Sequence, residues 1–123
     1  MNEFRKAVES GDLDAVLDLM TEDVVFRSPI VFKPYEGREA VGTLLRAVIR
    51  VFEDFRYDRE IGEPGAKKNS ALVFKARVGD REIEGCDFLH FNDEGLIDEF
   101  FVMVRPLSGA HALAGAMQQE LAA

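Results

Sequence analysis

Apolar residues recur at helical spacing in the first part of the chain. Within Leu13–Met20 they fall at positions i, i+3, i+4 and i+7, and the preceding Asp12 is of a type that caps helix N-termini. A shorter helical segment, residues 4–9, ends at a Ser-Gly pair. The longest pattern covers residues 38 to about 54, with charged side chains opposite its apolar stripe. These patterns predict three helices.

Alternating apolar and polar residues predict strands. The sequences at residues 79–80 and 92–95 are typical of hairpin turns, and the Gly-Glu-Pro-Gly segment at 62–65 interrupts the alternation. Pro106 ends the last strand, and Ser108 is placed to cap a small amphipathic helix. The predicted strands are residues 24–26, 55–61, 70–78, 81–91 and 96–105.

Helices grouped before strands predict an α+β architecture in which one face of a curved sheet covers the helices. Because side chains alternate between the faces of a strand, parity separates the inner face from the outer one. Asp87 falls on the inner face among apolar residues, where a carboxylate must reach water, find donors or take up a proton. The apolar inward positions include Leu72, Phe74, Ala76, Val78, Ile83, Leu89, Phe91, Phe100, Val102 and Val104.

Length and composition exclude several classes of protein. The 123 residues predict a single domain, 1–123, and the net charge of −8 would repel a nucleic-acid backbone. No run approaches the ~20 apolar residues that a membrane-spanning helix needs. The single cysteine, Cys86, cannot form an internal disulfide, and the N-terminus lacks the apolar stretch of a signal peptide. We therefore expect a cytoplasmic protein that binds neither nucleic acid nor membrane.

Four motifs occur along the chain in an order known from one superfamily. They are Ser10-Gly11-Asp12-Leu13-Asp14-Ala15, Asp23-Val24-Val25-Phe26, Tyr35-Glu36-Gly37-Arg38-Glu39-Ala40-Val41 and Asp87-Phe88-Leu89-His90-Phe91-Asn92-Asp93-Glu94-Gly95-Leu96-Ile97. Together they resemble the nuclear transport factor 2-like superfamily, specifically its SnoaL-like and ketosteroid-isomerase-like branch. The resemblance implies a cystatin-like α+β cone, in which a strongly curved antiparallel sheet wraps around three helices and leaves an internal apolar cavity.

The resemblance also implies positions for catalytic groups. Ketosteroid isomerases use a general-base aspartate at the end of the first strand, with a tyrosine and a protonated aspartate as oxyanion donors. The base position corresponds to Ser28 and the tyrosine position to about Phe4, whereas the second acid is kept at Asp87. Because a serine hydroxyl without a neighbouring base cannot remove a carbon-bound proton at neutral pH, isomerisation by that mechanism is not expected.

Two other branches imply different chemistry. Limonene-epoxide-hydrolase-like proteins place an arginine two residues before the corresponding aspartate, where this chain has Gly85, so epoxide opening is not expected. SnoaL-like polyketide cyclases use one aspartate as acid and base on a polycyclic substrate that supplies its own acidic C–H. We expect Asp87, or Asp98 on the neighbouring strand, to meet that demand. Asp98 has inward parity but follows a turn where carboxylates are usually solvated, so Asp87 is favoured.

We therefore predict that the cavity binds a small, largely hydrophobic organic molecule. If the chain is an enzyme, Asp87 is the catalytic acid and base of an isomerase or cyclase that needs no cofactor, and Ser28 or Tyr35 guides the substrate. No phosphate-binding glycine loop or clustered set of metal ligands occurs in the sequence, so no cofactor or metal is expected. The alternative is a non-catalytic ligand carrier or a dimerising partner domain. The other predicted substrate-binding residues are Phe26, Phe74, Leu89, Phe100 and Val102.

The outer face of the predicted sheet carries a second candidate surface. Parity places Phe88, Phe101 and Met103 together there, with His90 at or near them. An apolar patch of this size is rarely left in water by a monomer. The pattern predicts a homodimer through this face.

Overall fold

A computed structural model describes residues 3–62 and 68–122 of the chain. Residues 63–65 of the predicted Gly-Glu-Pro-Gly break lie outside the described residues. The helices are α1 (Glu3–Glu9), α2 (Leu13–Asp18), α3 (Arg38–Val51) and α4 (Leu107–Ala122). The strands are β1 (Met20–Arg27), β2 (Tyr35–Glu36), β3 (Glu53–Ile61), β4 (Asn69–Val78), β5 (Arg81–Phe91) and β6 (Ile97–Arg105).

The first helices form for the reasons that the sequence indicates, but α2 is shorter than predicted. The Asp12 side chain accepts a hydrogen bond of 3.0 Å from the backbone N–H of Ala15 and so caps α2. The helix ends at Asp18, and Met20, predicted to complete the helical stripe, is instead the first residue of β1. Met20 is fully buried opposite Ile97 of β6, so sheet pairing overrides the helical pattern there.

The strands form one curved, open sheet in the order β2-β1-β6-β5-β4-β3. The four consecutive strands from β3 to β6 pair antiparallel, which confirms the predicted meander. Strand β1 extends the meander at its β6 edge and runs parallel to β6. The two-residue β2 lies in the segment after β1, which was not predicted to form a strand, and pairs with β1. The α+β class expected from the grouped helices and strands is therefore confirmed.

The core lies between the concave face of the sheet and the helices. Helix α3 ends at Val51, slightly before its predicted end, because β3 begins at Glu53. Helix α4 begins at Leu107, so Ser108 lies inside its first turn and does not cap it, contrary to expectation. The described residues thus contain four helices, whereas the family resemblance implies three.

None of the helices within residues 3–62 and 68–122 is long and apolar enough to span a bilayer.

Candidate functional site

A cavity of about 360 Å³ lies between the helices and the concave face of the sheet. All four helices contribute to its wall, as do β1 and the strands from β3 to β6. Its volume is near the lower end of the range found for small-molecule sites. Among the described residues that line it, four have polar side chains: Glu9, Arg56, Tyr57 and Asp87. The wall is otherwise apolar and suits a hydrophobic molecule.

Asp87 and Tyr57 form a buried hydrogen-bonded pair at the cavity wall. The Tyr57 hydroxyl donates to Oδ2 of Asp87 at 2.7 Å, and both residues are less than 10% exposed. Their strands, β3 and β5, flank β4, where Phe74 is opposite Tyr57 and Leu72 is opposite Asp87. The pair therefore spans the width of β4 on the concave face.

Burial decides the protonation of this pair. Desolvation raises the pKa of the Asp87 carboxyl from 3.8 to about 7, and the hydrogen bond from Tyr57 acts in the opposite direction. Desolvation also raises the pKa of the Tyr57 hydroxyl, and the adjacent carboxyl adds to this effect. Near neutral pH, Asp87 therefore exists in both protonated and ionised forms, while Tyr57 keeps its proton.

Neighbouring groups hold the Tyr57 ring in place. Phe55, on the same strand, packs edge-on against this ring with 5.0 Å between the centroids. The Arg5 guanidinium lies 5.8 Å from the ring centroid and forms ion pairs with Glu9 at 3.2 Å and Glu60 at 3.1 Å. These contacts tie α1 to β3 beside the pair.

Four of the predicted substrate-binding residues line the cavity together with Asp87, namely Phe26, Phe74, Phe100 and Val102. Ser28, Tyr35 and Leu89 do not line it. Leu89 is a buried core residue opposite Phe100. The Tyr35 ring packs against Phe26, with 6.3 Å between centroids, and anchors β2 on the core.

The Ser28 hydroxyl is occupied by its own loop. Its Oγ atom accepts hydrogen bonds from the backbone N–H of Ile30 and of Val31 and donates to the carbonyl of Val31. Such local bonds stabilise a turn. Ser28 therefore shapes the loop after β1 and does not meet Asp87 in the cavity.

Asp98 does not face the cavity, contrary to its predicted inward parity. A register shift between β5 and β6 pairs His90 with Glu99 but Phe91 with Ile97, so Asp98 is the extra residue of a bulge. Its Oδ1 atom lies 2.6 Å from Nδ1 of His90, on the outer side of the sheet. A bulge reverses parity locally, which simple alternation cannot reveal.

Gly85 leaves space that the Phe74 ring occupies. A Cβ atom at Gly85 would lie 2.2 Å from the Phe74 ring and 2.8 Å from the backbone oxygen of Met103. No larger side chain fits at this position without displacing Phe74. An arginine in the manner of the epoxide hydrolases is thus excluded sterically as well as by sequence.

Sequence reasoning missed several residues of the cavity wall, above all Tyr57. The alternation of Phe55 and Tyr57 indicates a shared face, but nothing in the sequence shows that this face meets Asp87 across an intervening strand. Phe4, which stands at the tyrosine position of the ketosteroid isomerases, also lines the cavity.

Within the part of the chain that the structure describes, no three His, Cys, Asp or Glu side chains are grouped to hold a metal ion.

An α+β fold in which a curved sheet covers the helices, with a buried acid in the cavity between them, defines a protein of the nuclear transport factor 2-like class. A profile of the SnoaL-like domain matches residues 1–100, and the chain belongs to this family. A comparison with curated proteins found no match.

Solved structures support this assignment. A steroid delta-isomerase from Pseudomonas aeruginosa is 42% identical, with a TM-score of 0.90 over 98% of this chain and 87% of that one. An uncharacterised protein with a cystatin-like fold from Silicibacter pomeroyi is 36% identical, with a TM-score of 0.89 over 98% and 83%. The epoxide hydrolase/cyclase-like enzyme SalBIII is 20% identical, with a TM-score of 0.68 over 87% and 88%, and shares the fold.

Proposed function

We propose that this chain binds a small, largely hydrophobic organic molecule in its cavity and moves a proton on it, with Asp87 as acid and base. The observation that carries the proposal is the Asp87 carboxyl, 5% exposed, on the wall of an otherwise apolar cavity and hydrogen-bonded to Tyr57. A carboxyl whose pKa lies near the working pH serves well in proton transfer, because both of its forms are populated.

The proposed chemistry is that of a cofactor-independent isomerase or cyclase. Ionised Asp87 takes a proton from an acidic C–H of the bound molecule, and the electron pair of that bond moves onto the adjacent carbonyl group. Protonated Asp87 then returns the proton to carbon or oxygen. Tyr57 holds Oδ2, whereas Oδ1 has no hydrogen-bond partner within residues 3–62 and 68–122 and is the oxygen left for the substrate.

The likeness to a steroid delta-isomerase supports proton transfer as the class of reaction. The mechanism described above for ketosteroid isomerases does not transfer, because Ser28 stands at the base position and its hydroxyl is bonded within its own loop. A single acid, as in SnoaL-like cyclases, fits the residues better. Substrates that supply their own acidic C–H are therefore favoured.

Deuterium exchange into 2-tetralone, an apolar bicyclic ketone with an acidic C–H, tests the proposal. NMR in D₂O should show exchange above the buffer rate with the unmodified protein, and Asp87→Asn should lower the protein-dependent rate by about 100-fold or more. Asp98→Asn, the matched control on the outer side of the sheet, should leave the rate unchanged. Exchange that persists in Asp87→Asn, or that the unmodified protein does not accelerate, counts against Asp87 as the acid and base.

The proposal includes a homodimer through the outer face of the sheet. Phe88 is 39% exposed and Met103 is 53% exposed on adjacent strands, and Phe88 packs against Phe101 with 5.8 Å between ring centroids. His90 lies on the same face, beside Asp98. A second copy would present the same apolar patch, and a two-fold interface requires such a self-complementary surface.

A further inference from the structure

The mouth of the cavity is marked by the lining residues that are exposed to solvent. These are Glu9 on α1, Gly11 before α2, Ile49 on α3 and Arg56 on β3. Among the described residues at this mouth, only Glu9 and Arg56 carry charge. The chemistry of these two side chains decides which polar group of a ligand is accepted at the opening.

Glu9 already has a partner in the protein. Its carboxylate accepts a hydrogen bond of 3.2 Å from Nε of Arg5, whose guanidinium also pairs with Glu60. Arg5 is therefore committed to two carboxylates of the protein. A ligand cation would have to compete with Arg5 for Glu9.

Arg56 has no such partner in the part of the chain that the structure describes. Within the described residues, no carboxylate lies within 4 Å of its guanidinium, and its one hydrogen bond runs from Nη1 to the backbone carbonyl of Asp54 at 2.8 Å. The Asp54 carboxylate is taken by Arg77, whose Nη2 lies 2.9 Å from it, and Glu53 also pairs with Arg77. The nearest acids on the strand are thus occupied by another cation.

The backbone contact orients the guanidinium without neutralising it. Asp54 has a left-handed φ of 54°, which bends the start of β3 at the residue whose carbonyl receives Arg56. Arginine has five N–H donors, and the described residues accept from one of those of Arg56. The remaining donors are free to bind a carboxylate in the paired geometry that arginine favours.

We propose that Arg56 binds an acidic group of the ligand, so that the molecule accepted by this cavity is an apolar organic acid. Its hydrophobic body occupies the apolar interior beside Asp87, and its carboxylate stays at the mouth, in contact with both water and the guanidinium. This inference rests on the proposed function and specifies the substrate class of the same site.

The negative charge of the chain does not oppose this arrangement. The net charge of −8 is spread over the surface, and at physiological ionic strength charges more than ~8 Å apart are largely screened. At the mouth itself, Glu9 is paired with Arg5, whereas Arg56 forms no ion pair with any residue that the structure describes, so Arg56 is the cation available to a ligand.

Paired binding measurements with 2-naphthoate and 2-acetylnaphthalene test the inference, because the two probes share one ring system and differ in charge. Isothermal titration at about 0.15 M salt should show about fivefold tighter binding of 2-naphthoate to the unmodified protein. Arg56→Gln should abolish this preference, and Arg56→Lys should retain part of it. Arg59→Gln removes the same charge from β3 outside the cavity and should keep the preference.

The outcomes separate this inference from the proposed function. Equal binding of the two probes, or a preference that survives in Arg56→Gln, overturns the role of Arg56 and leaves the apolar site standing. Failure of both probes to bind overturns the proposed function and this inference together. The preference for 2-naphthoate should also decline as salt is raised, since the contact is at the solvent-exposed mouth.

Discussion

The hydroxyl of Tyr57 and the carboxyl of Asp87 meet at 2.7 Å on the concave face of the sheet, although an entire strand separates their backbones. The contact is possible because both side chains project from the sheet into the same cavity. It leaves one carboxyl oxygen for the contents of that cavity. It also couples the protonation of Asp87 to the stability of the fold.

The free energy of unfolding should depend on pH through Asp87. Burial raises the pKa of this carboxyl from 3.8 to about 7, so between these values the folded state holds a proton that the unfolded chain releases. The stabilisation from Asp87 is full below about pH 4 and is lost as the pH rises through about 7. From pH 5 to pH 8, the unmodified protein should lose about 3 kcal/mol relative to Asp87→Asn, as measured by urea unfolding.

Asp87→Asn is the reference because it removes this titration and keeps the shape of the side chain. At pH 8 it should be more stable than the unmodified protein, since a neutral amide costs less to bury than a carboxylate. A difference between the two proteins that stays constant from pH 5 to pH 8 would contradict the shifted pKa.

Tyr57→Phe should destabilise the protein more at high pH than at low pH. At pH 8 the ionised Asp87 loses its hydrogen-bond donor, which should cost about 2 kcal/mol, whereas at pH 5 the neutral carboxyl should lose about 1 kcal/mol. Unfolding in urea at the two pH values measures both. Tyr35→Phe is the control, because the Tyr35 hydroxyl has no hydrogen bond to any residue within 3–62 and 68–122, and its small effect should not vary with pH. An equal cost for Tyr57→Phe at both pH values would contradict a stronger hydrogen bond from the Tyr57 hydroxyl to ionised Asp87 than to its neutral form.

Gly85→Ala should destabilise the fold by about 1–3 kcal/mol, because the new methyl group would collide with the Phe74 ring at the cavity wall. Gly115→Ala provides a contrast, since a Cβ atom there meets nothing within 4 Å and alanine favours the helix by about 0.5–1 kcal/mol. Thermal unfolding of the two variants should therefore shift in opposite directions. A neutral Gly85→Ala would mean that Phe74 does not require the space above Gly85.

Phe88→Glu should weaken self-association at least tenfold, because it places a charge in the centre of the proposed dimer interface. Sedimentation velocity over a range of concentrations measures this effect. Leu107→Glu, at a 74% exposed residue of α4, is the matched control and should leave association unchanged. A sedimentation coefficient of the unmodified protein that stays at the monomer value across the range would contradict the dimer.

Regular alternation explains why the sequence correctly placed Asp87 on the inner face of the sheet. Strand β5 pairs with β4 without a register shift from Asn69 opposite His90 to Val78 opposite Arg81, so parity holds along its length. The same reasoning fails at Asp98, where a bulge interrupts β6. Parity also does not predict that Tyr57 contacts Asp87. Strand β3 carries two register shifts against β4, and the contact between side chains of β3 and β5 depends on the whole folded sheet.

The ends of elements were harder to predict for a related reason. Met20 fits a helical stripe, but its burial against β6 assigns it to a strand, and only the folded sheet supplies that partner.

Ser28 has the right type and place for a substrate contact, yet its hydroxyl accepts hydrogen bonds from two backbone N–H groups of its own loop. Short-range hydrogen bonds of this kind compete with any functional role.

Direct titration of the Asp87 carboxyl is the sharpest test of the account. The ¹³C shift of this carboxyl, assigned by its loss in Asp87→Asn, should be followed by NMR from pH 4 to pH 9. A midpoint near 7 is expected, because desolvation outweighs the hydrogen bond from Tyr57. A midpoint below 5 would place the ionised carboxylate in a well-solvated setting, and Asp87 would then be unsuited to act as an acid at neutral pH.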